Sequence, residues 1–157
     1  MKNKSLILVL CDIRSTLNVG AIFRTADAVG ADKIYLSGIT ATPNHPKVAK
    51  TALGAESFLK WEYCHELAKV ISKLKKADYQ IIGLELGKKS ISFWEADYSD
   101  KIALLVGNEV TGLTEEQLNQ CNLVIKIPMF GKKESLNVAT ATGVAAYQIK
   151  KHLNNIA

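Results

Sequence analysis

The feature that most limits what this chain can fold into is the character of its apolar runs. "LILVL" (Leu6–Leu10), "KIYLSG", "FLKWEY", "QIIGLEL", "IALLVG" and "LVIKIPM" are spread along 157 residues, and four of the six are nearly continuous in apolar side chains. A strand solvated on one face alternates apolar with polar residues, whereas a strand covered on both faces does not. Between the runs lie stretches with apolar residues at helical spacing. Asn18–Val29 places Val19, Ile22, Phe23 and Ala26 on one face and closes on Gly30, where a helix commonly ends in the left-handed conformation. Pro46–Leu53 is shorter, and His65–Lys75 carries Leu67, Val70, Ile71 and Leu74. Thr114 and Gln117 form a capping-box start for Thr114–Gln120, and Leu136–Leu153 is the last and longest helical stretch. Strands alternating with helices predict an α/β fold: a mostly parallel sheet with helices on both faces. No repeat, low-complexity tract or Pro/Ser-rich linker interrupts the pattern, so residues 1–157 are expected to form a single domain.

Several function classes are disfavoured at once. The N-terminal apolar stretch ends at Asp12 and Arg14, too short for a secretory h-region or a bilayer span, and the chain reads as soluble and cytoplasmic. Cys11, Cys64 and Cys121 are odd in number and widely spaced, which points to free thiols rather than a disulfide framework. With His45, His65 and His152 also scattered, no metal site is expected. The formal net charge is +5, a moderate excess recurring in "HPKVAK", "KLKK" and "GKK". Such a surface suits a polyanionic partner, although "KLKK" reads first as a solvated helix face.

The common cofactor and nucleophile signatures are missing: there is no G-x-G-x-x-G after a strand, no P-loop and no G-x-S-x-G. Three glycine-containing corners remain. In "STLNVGAIFRTADAVGA", Asn18 can cap a helix, while Gly20 and Arg24, four apart, share a face on which Gly20 leaves room for something to approach. An ordinary N-cap with an Arg24–Asp27 pair explains the same spacing. In "LLVGNEVTGL" a buried strand delivers Gly107, Asn108 and Glu109 to its C-terminal end, where open α/β sheets bind ligands. Gly107 permits close backbone approach. A half-buried Glu109 needs a partner such as an arginine, unless it is a solvated loop carboxylate. In "IPMFGKKESLNVATATG", Ser135 and Asn137 are short polar groups at a helix start; capping explains either one, and both poorly.

Together the corners resemble the SpoU (TrmH-like) branch of the SPOUT class of RNA ribose 2′-O-methyltransferases. "NVGAIFRTA" is similar to that family's N-x-G-x-x-x-R-T-A, "LLVGNEVTGL" to its strand followed by G-x-E-x-x-G-L, and "IPMFGKKESLNVA" to its I-P-M-x-G-x-x-x-S-L-N-V-A. The resemblance implies a C-terminal deep trefoil knot, a homodimer and S-adenosylmethionine bound in the knot. It further implies that Gly107, Ile127 and Leu136 contact the cofactor largely through backbone groups, with Leu84 and Glu85 of "GLEL" and Met129 lining the cleft. Arg24, from the partner subunit, would stand at the target ribose, held by Asn18, Glu109, Ser135 and Asn137. The small-residue helix "NVATATGVAAYQI" would pack closely at the dimer interface. Lys47, Lys50 and Thr51, in a segment that faces substrate in the family, would contact RNA unless they form a solvated helix face.

Many relatives carry an N-terminal RNA-binding extension, and this chain is expected to lack one. Recognition would then come from the core, its dimer or a helper protein, and tRNA is favoured over rRNA. The expected activity is S-adenosylmethionine-dependent 2′-O-methylation of structured RNA. The alternative is a non-catalytic knotted RNA-binding dimer, which the intact Asn18, Arg24, Glu109, Ser135 and Asn137 disfavour. A base-nitrogen methylating relative would need a different arginine pattern.

Overall fold

The protein is described by a computed structural model covering residues 3–157. Seven strands form one sheet: β1 (Ser5–Cys11), β2 (Lys33–Ser37), β3 (Lys60–Tyr63), β4 (Gln80–Leu84), β5 (Ile91–Ser92), β6 (Lys101–Val106) and β7 (Leu123–Lys126), in the order β3-β2-β1-β6-β4-β7-β5. Every pairing between them is parallel. The six expected strands are present. The two-residue β5, which pairs only with β7, is too short to leave a periodic signal.

Among the described residues, five α-helices cover the sheet, α1 (Thr16–Val29), α2 (Pro46–Ala52), α3 (Leu67–Lys76), α4 (Glu115–Asn119) and α5 (Val138–Leu153), and a 3₁₀ turn (Ala55–Ser57) follows α2. The continuous apolar strands follow from burial on both faces. In β1, Leu6, Leu8 and Leu10 join a core with residues of α1, α2 and α5. Ile7, Val9 and Cys11, pointing the other way, join a second core with α3, and Leu118 of α4 packs on it. Burial pushes the Cys11 thiol well up and that of Cys121 up to about 11, so both stay protonated at neutral pH. No helix among the described residues is long and apolar enough to cross a membrane.

All parallel strands end at one edge, and the chain's direction across the sheet reverses beside β1. Strands β2 and β3 lie to one side of it, β6 and β4 to the other. The loops after β1, β4, β6 and β7 therefore gather at one rim, where such folds form crevices.

Two local expectations are corrected. Helix α1 begins earlier than Asn18, and its cap is Ser15, whose side chain accepts the Asn18 backbone N–H at 3.2 Å. Asn18 is thus the third helical residue, with its side chain free for other use. The space beside Gly20 is filled by α2: a Cβ there would lie 1.7 Å from Thr51 Oγ1 and 2.7 Å from the Val48 carbonyl oxygen. Gly143 plays the matching part in α5, where a Cβ would meet Thr25 Cγ2 of α1 at 3.3 Å. Thr142, Ala145, Ala146, Ile149 and Leu153 form the buried face of α5 within the chain.

Gly20→Ala is expected to destabilise the fold by about 1–3 kcal/mol. Thr51→Ala in the same chain should fail to restore it, because the Thr51 Cβ and the Val48 carbonyl still collide with the new methyl. Denaturant unfolding of the single and double variants checks this, and full rescue by Thr51→Ala would show that only the hydroxyl matters.

Candidate functional site

The rim holds a cleft of about 190 Å³. Leu84, Glu85 and Leu86 form one wall, the loop Gly107–Gly112 a second, and Ile127, Met129, Ser135 and Leu136 a third; Val138 and Ala141 of α5 also line it. Every residue that the family resemblance marks for the cofactor lies in these walls: Gly107, Ile127, Leu136, Leu84, Glu85 and Met129.

The loop after β6 folds back on itself. A Cβ on Gly107 would lie 2.5 Å from the Gly112 carbonyl carbon and 2.6 Å from the Leu113 nitrogen, so the close approach that Gly107 permits is to this loop's own backbone. Gly112 has φ +66°, a conformation that favours glycine, and a Cβ there would strike the Glu85 carboxylate at 2.1 Å. Glu85 in turn accepts the Leu113 N–H at 2.8 Å, joining the wall after β4 to the wall after β6. Asn108 completes the loop. Its side-chain oxygen accepts the N–H groups of Val110 and Thr111, and its amide nitrogen donates to the Asp12 carbonyl at 2.9 Å. An Asn directly after a strand-ending Gly is the turn signal that marks this role in sequence.

Glu109 is half-buried, as expected, and its partners are amides rather than an arginine side chain. Its carboxylate accepts the backbone N–H groups of Arg14 and Ser15, each at 2.9 Å, and the Asn18 side-chain amide at 3.0 Å. Partial burial pushes this carboxyl up. The hydrogen bonds from Ser15, Arg14 and Asn18 outweigh that, leaving it below the ordinary carboxylate range. The chain of contacts continues: the Asn18 side-chain oxygen accepts the Asn137 amide at 3.2 Å, and the Asn137 oxygen caps α5 by accepting the N–H groups of Ala139 and Thr140. Each amide's orientation follows from its neighbour. Capping turns the Asn137 nitrogen outward, which requires the oxygen of Asn18, which presents its nitrogen to Glu109.

The single chain thus unites Asn18, Glu109 and Asn137 in one network, and Glu109 and Ser135 also line the cleft. Arg24 is separate: it is exposed and, among the described residues, makes no ion pair with Asp27 or any other group. Helix geometry explains the distance. Six residues after Asn18, Arg24 lies about 9 Å along the axis and about 120° around it. Lys47 and Lys50 are exposed on α2, while the Thr51 hydroxyl is turned inward onto the carbonyls of Lys47 and Val48.

The cleft suits a ligand recognised through main-chain groups. The backbone N–H groups of Ile127, Met129 and Leu136 make no hydrogen bond among the described residues. Open main-chain donors beside a lining that mixes apolar side chains (Leu84, Ile127, Met129, Leu136) with polar ones (Glu85, Asn108, Ser135) fit a cofactor with a polar and an apolar end. Among the described residues, no group of three or more His, Cys, Asp or Glu is placed to hold a metal ion.

The chain is similar to known proteins along nearly its whole length. The profile of the SpoU rRNA Methylase family matches residues 5–147. The chain belongs to that family. It is 33% identical over 153 residues to the tRNA (guanosine(18)-2′-O)-methyltransferase of Aquifex aeolicus, covering 96% of this chain and 71% of that protein. Among solved structures, the AdoMet-bound rRNA methyltransferase from Sinorhizobium meliloti superposes with a TM-score of 0.88 at 28% identity. That match covers 97% of this chain but only 58% of the longer relative. A structure described as giving insights into the 2-OH methylation of C/U34 on tRNA superposes with a TM-score of 0.87 at 29% identity, covering 98% of this chain and 99% of that one.

Glu109→Gln leaves an amide facing N–H donors and is expected to lower stability by about 1–3 kcal/mol. Because the folded-state pKa of Glu109 is depressed, its contribution is present above the ordinary glutamate value, near 4.3, and lost as pH falls below it. Melting curves from pH 7 to pH 3 should converge for the two proteins at the acid end. A constant gap across that range would rule out ionised Glu109 as the source.

Proposed function

We propose that the chain is an S-adenosylmethionine-dependent RNA ribose 2′-O-methyltransferase, acting on tRNA as a cytoplasmic homodimer. The observation that carries this reading is the coincidence of the open-donor cleft with the Glu109–Asn18–Asn137 network on one rim of a SpoU-family fold. The C-terminal knot belongs to the same reading, supported by the superposition on SpoU-family structures along nearly the whole chain. For tRNA, support comes from the Aquifex relative and from the near-equal-length structure concerned with C/U34 of tRNA.

S-adenosylmethionine would be held by the Gly107, Ile127, Met129 and Leu136 walls, where it supplies a methyl group on a sulfonium sulfur. The residues of this chain contribute position and charge. The network braces the rim against which a ribose hydroxyl would be positioned, and positioning is the first requirement of a displacement at carbon. The guanidinium of Arg24 stabilises the alkoxide that develops on the 2′-oxygen, and water or a substrate phosphate accepts the proton. Its solvent-facing position supports delivery into the cleft of a second copy. The exposed Leu17 of α1 and Val144 and Tyr147 of α5 supply apolar surface for that pairing.

Arg24→Ala should lower methyl transfer about 100- to 1000-fold, the usual effect of removing a donor to a developing oxyanion, with S-adenosylmethionine affinity kept. Mixing Arg24→Ala chains with Leu136→Trp chains, whose clefts are blocked, should recover activity that neither has alone; no recovery would mean that Arg24 acts within its own chain. Mass-spectrometric mapping of ribose methylation in a deletion strain should show one lost 2′-O-methyl in tRNA. A loss confined to rRNA would overturn the substrate half of the proposal.

A further inference from the structure

We infer that Trp94 and Phe130 form an aromatic shelf beside the cofactor cleft on which an unpaired RNA base stacks. The inference rests on the RNA-modifying reading above and adds to it a base-binding site.

Three rings form a ladder from the core outward. Phe93 is buried at 4% exposure, Trp94 lies beside it with centroids 5.2 Å apart and is 58% exposed, and Phe130 follows at 6.2 Å and 19° and is 84% exposed. Burial is what makes an aromatic ring stabilise a fold, so the outermost ring contributes little to stability. What it offers is a flat face continuing a near-parallel stack. The Trp94 indole N–H makes no hydrogen bond among the described residues and remains available to a ligand.

The shelf is fixed to the cleft by the backbone. Phe130 directly follows Met129, a wall residue, and the Phe93 N–H donates at 2.9 Å to the carbonyl of Lys126, another wall residue. A base on the shelf would therefore lie close to the cofactor without occupying its walls. Residues 88–95 and 126–134 together hold five lysines against two glutamates, and Lys88, Lys89, Lys132 and Lys133 are exposed. Aromatic faces bordered by lysines match the chemistry of single-stranded nucleic acid, with stacking for the base and charge for the phosphates. The occupant is thus a looped-out nucleotide, the form in which RNA exposes bases to proteins.

The chain has two tryptophans, so Trp61→Phe leaves Trp94 as the sole indole fluorophore. In that background, a short single-stranded oligoadenylate RNA should quench the emission, and an abasic ribose-phosphate chain of equal length should not. Phe130→Ala should weaken oligoadenylate binding about tenfold while S-adenosylmethionine affinity, measured by calorimetry, stays the same. Equal quenching by the abasic chain, or unchanged RNA affinity in Phe130→Ala, overturns the shelf. Quenching by S-adenosylmethionine alone assigns the rings to the cofactor and overturns it too. So does emission that depends on protein concentration without RNA, because a second copy then covers the rings. Failure of the wild-type chain to bind S-adenosylmethionine would instead sink the methyltransferase reading, leaving the quenching result to judge the shelf independently.

Discussion

The rim depends on one carboxylate. Glu109 sits at the end of a buried strand, and its desolvation is offset by three donors from the start of α1. Those donors are not incidental neighbours. Arg14 and Ser15 lie in the turn that joins β1 to α1, and Asn18 carries the link on to the N-terminus of α5. One acidic group thereby connects the turn after β1, the loop after β6 and, through Asn18, the start of α5, although Asn18 and Asn137 lie 119 residues apart in sequence. A partly buried charge satisfied wholly by hydrogen bonds is more directional than an ion pair on the surface, and it fixes geometry as well as energy.

The glycines of the family motifs have different tasks from the one their pattern first suggests. Gly20, Gly107 and Gly112 lie where another part of the chain comes too close for a Cβ: α2 in the first case, the loop's own backbone in the second, and Glu85 in the third. None of these positions is vacant for a ligand. The main-chain donors left open lie elsewhere, in the segment after β7, and such donors carry no side-chain fingerprint in a sequence.

Most of the sheet was legible because continuous apolar runs are forced on strands covered from both sides, and the capping box of α4 was explicit in Thr114 and Gln117. The start of α1 differs from the expected Asn18 because Ser15, three residues earlier, is the cap. Asn18, inside the helix, instead gives its side-chain amide to Glu109, a tertiary contact that no local pattern marks. The partners of Glu109 were hidden for a related reason, since backbone amides are present at every residue and carry no mark in sequence. The residues that line the cleft were legible through family resemblance, and composition or periodicity alone would not have found Leu84 or Met129. The ladder of Phe93, Trp94 and Phe130 joins segments more than thirty residues apart, and only the pairing of β5 with β7 brings them together.

The walls of the cleft differ in stiffness. The loop after β6 is tied on both flanks, to α1 through Glu109 and to the β4 side through Glu85, and it is folded against itself at Gly107. The stretch from Gly131 to Leu136 lies open to water and, with Ile127 and Met129, leaves main-chain donors unused. Local opening falls where few internal bonds must break. The cleft is therefore one-sided, like a door with a fixed jamb, and the leaf that can give is the exposed stretch from Gly131 to Leu136, beyond Phe130.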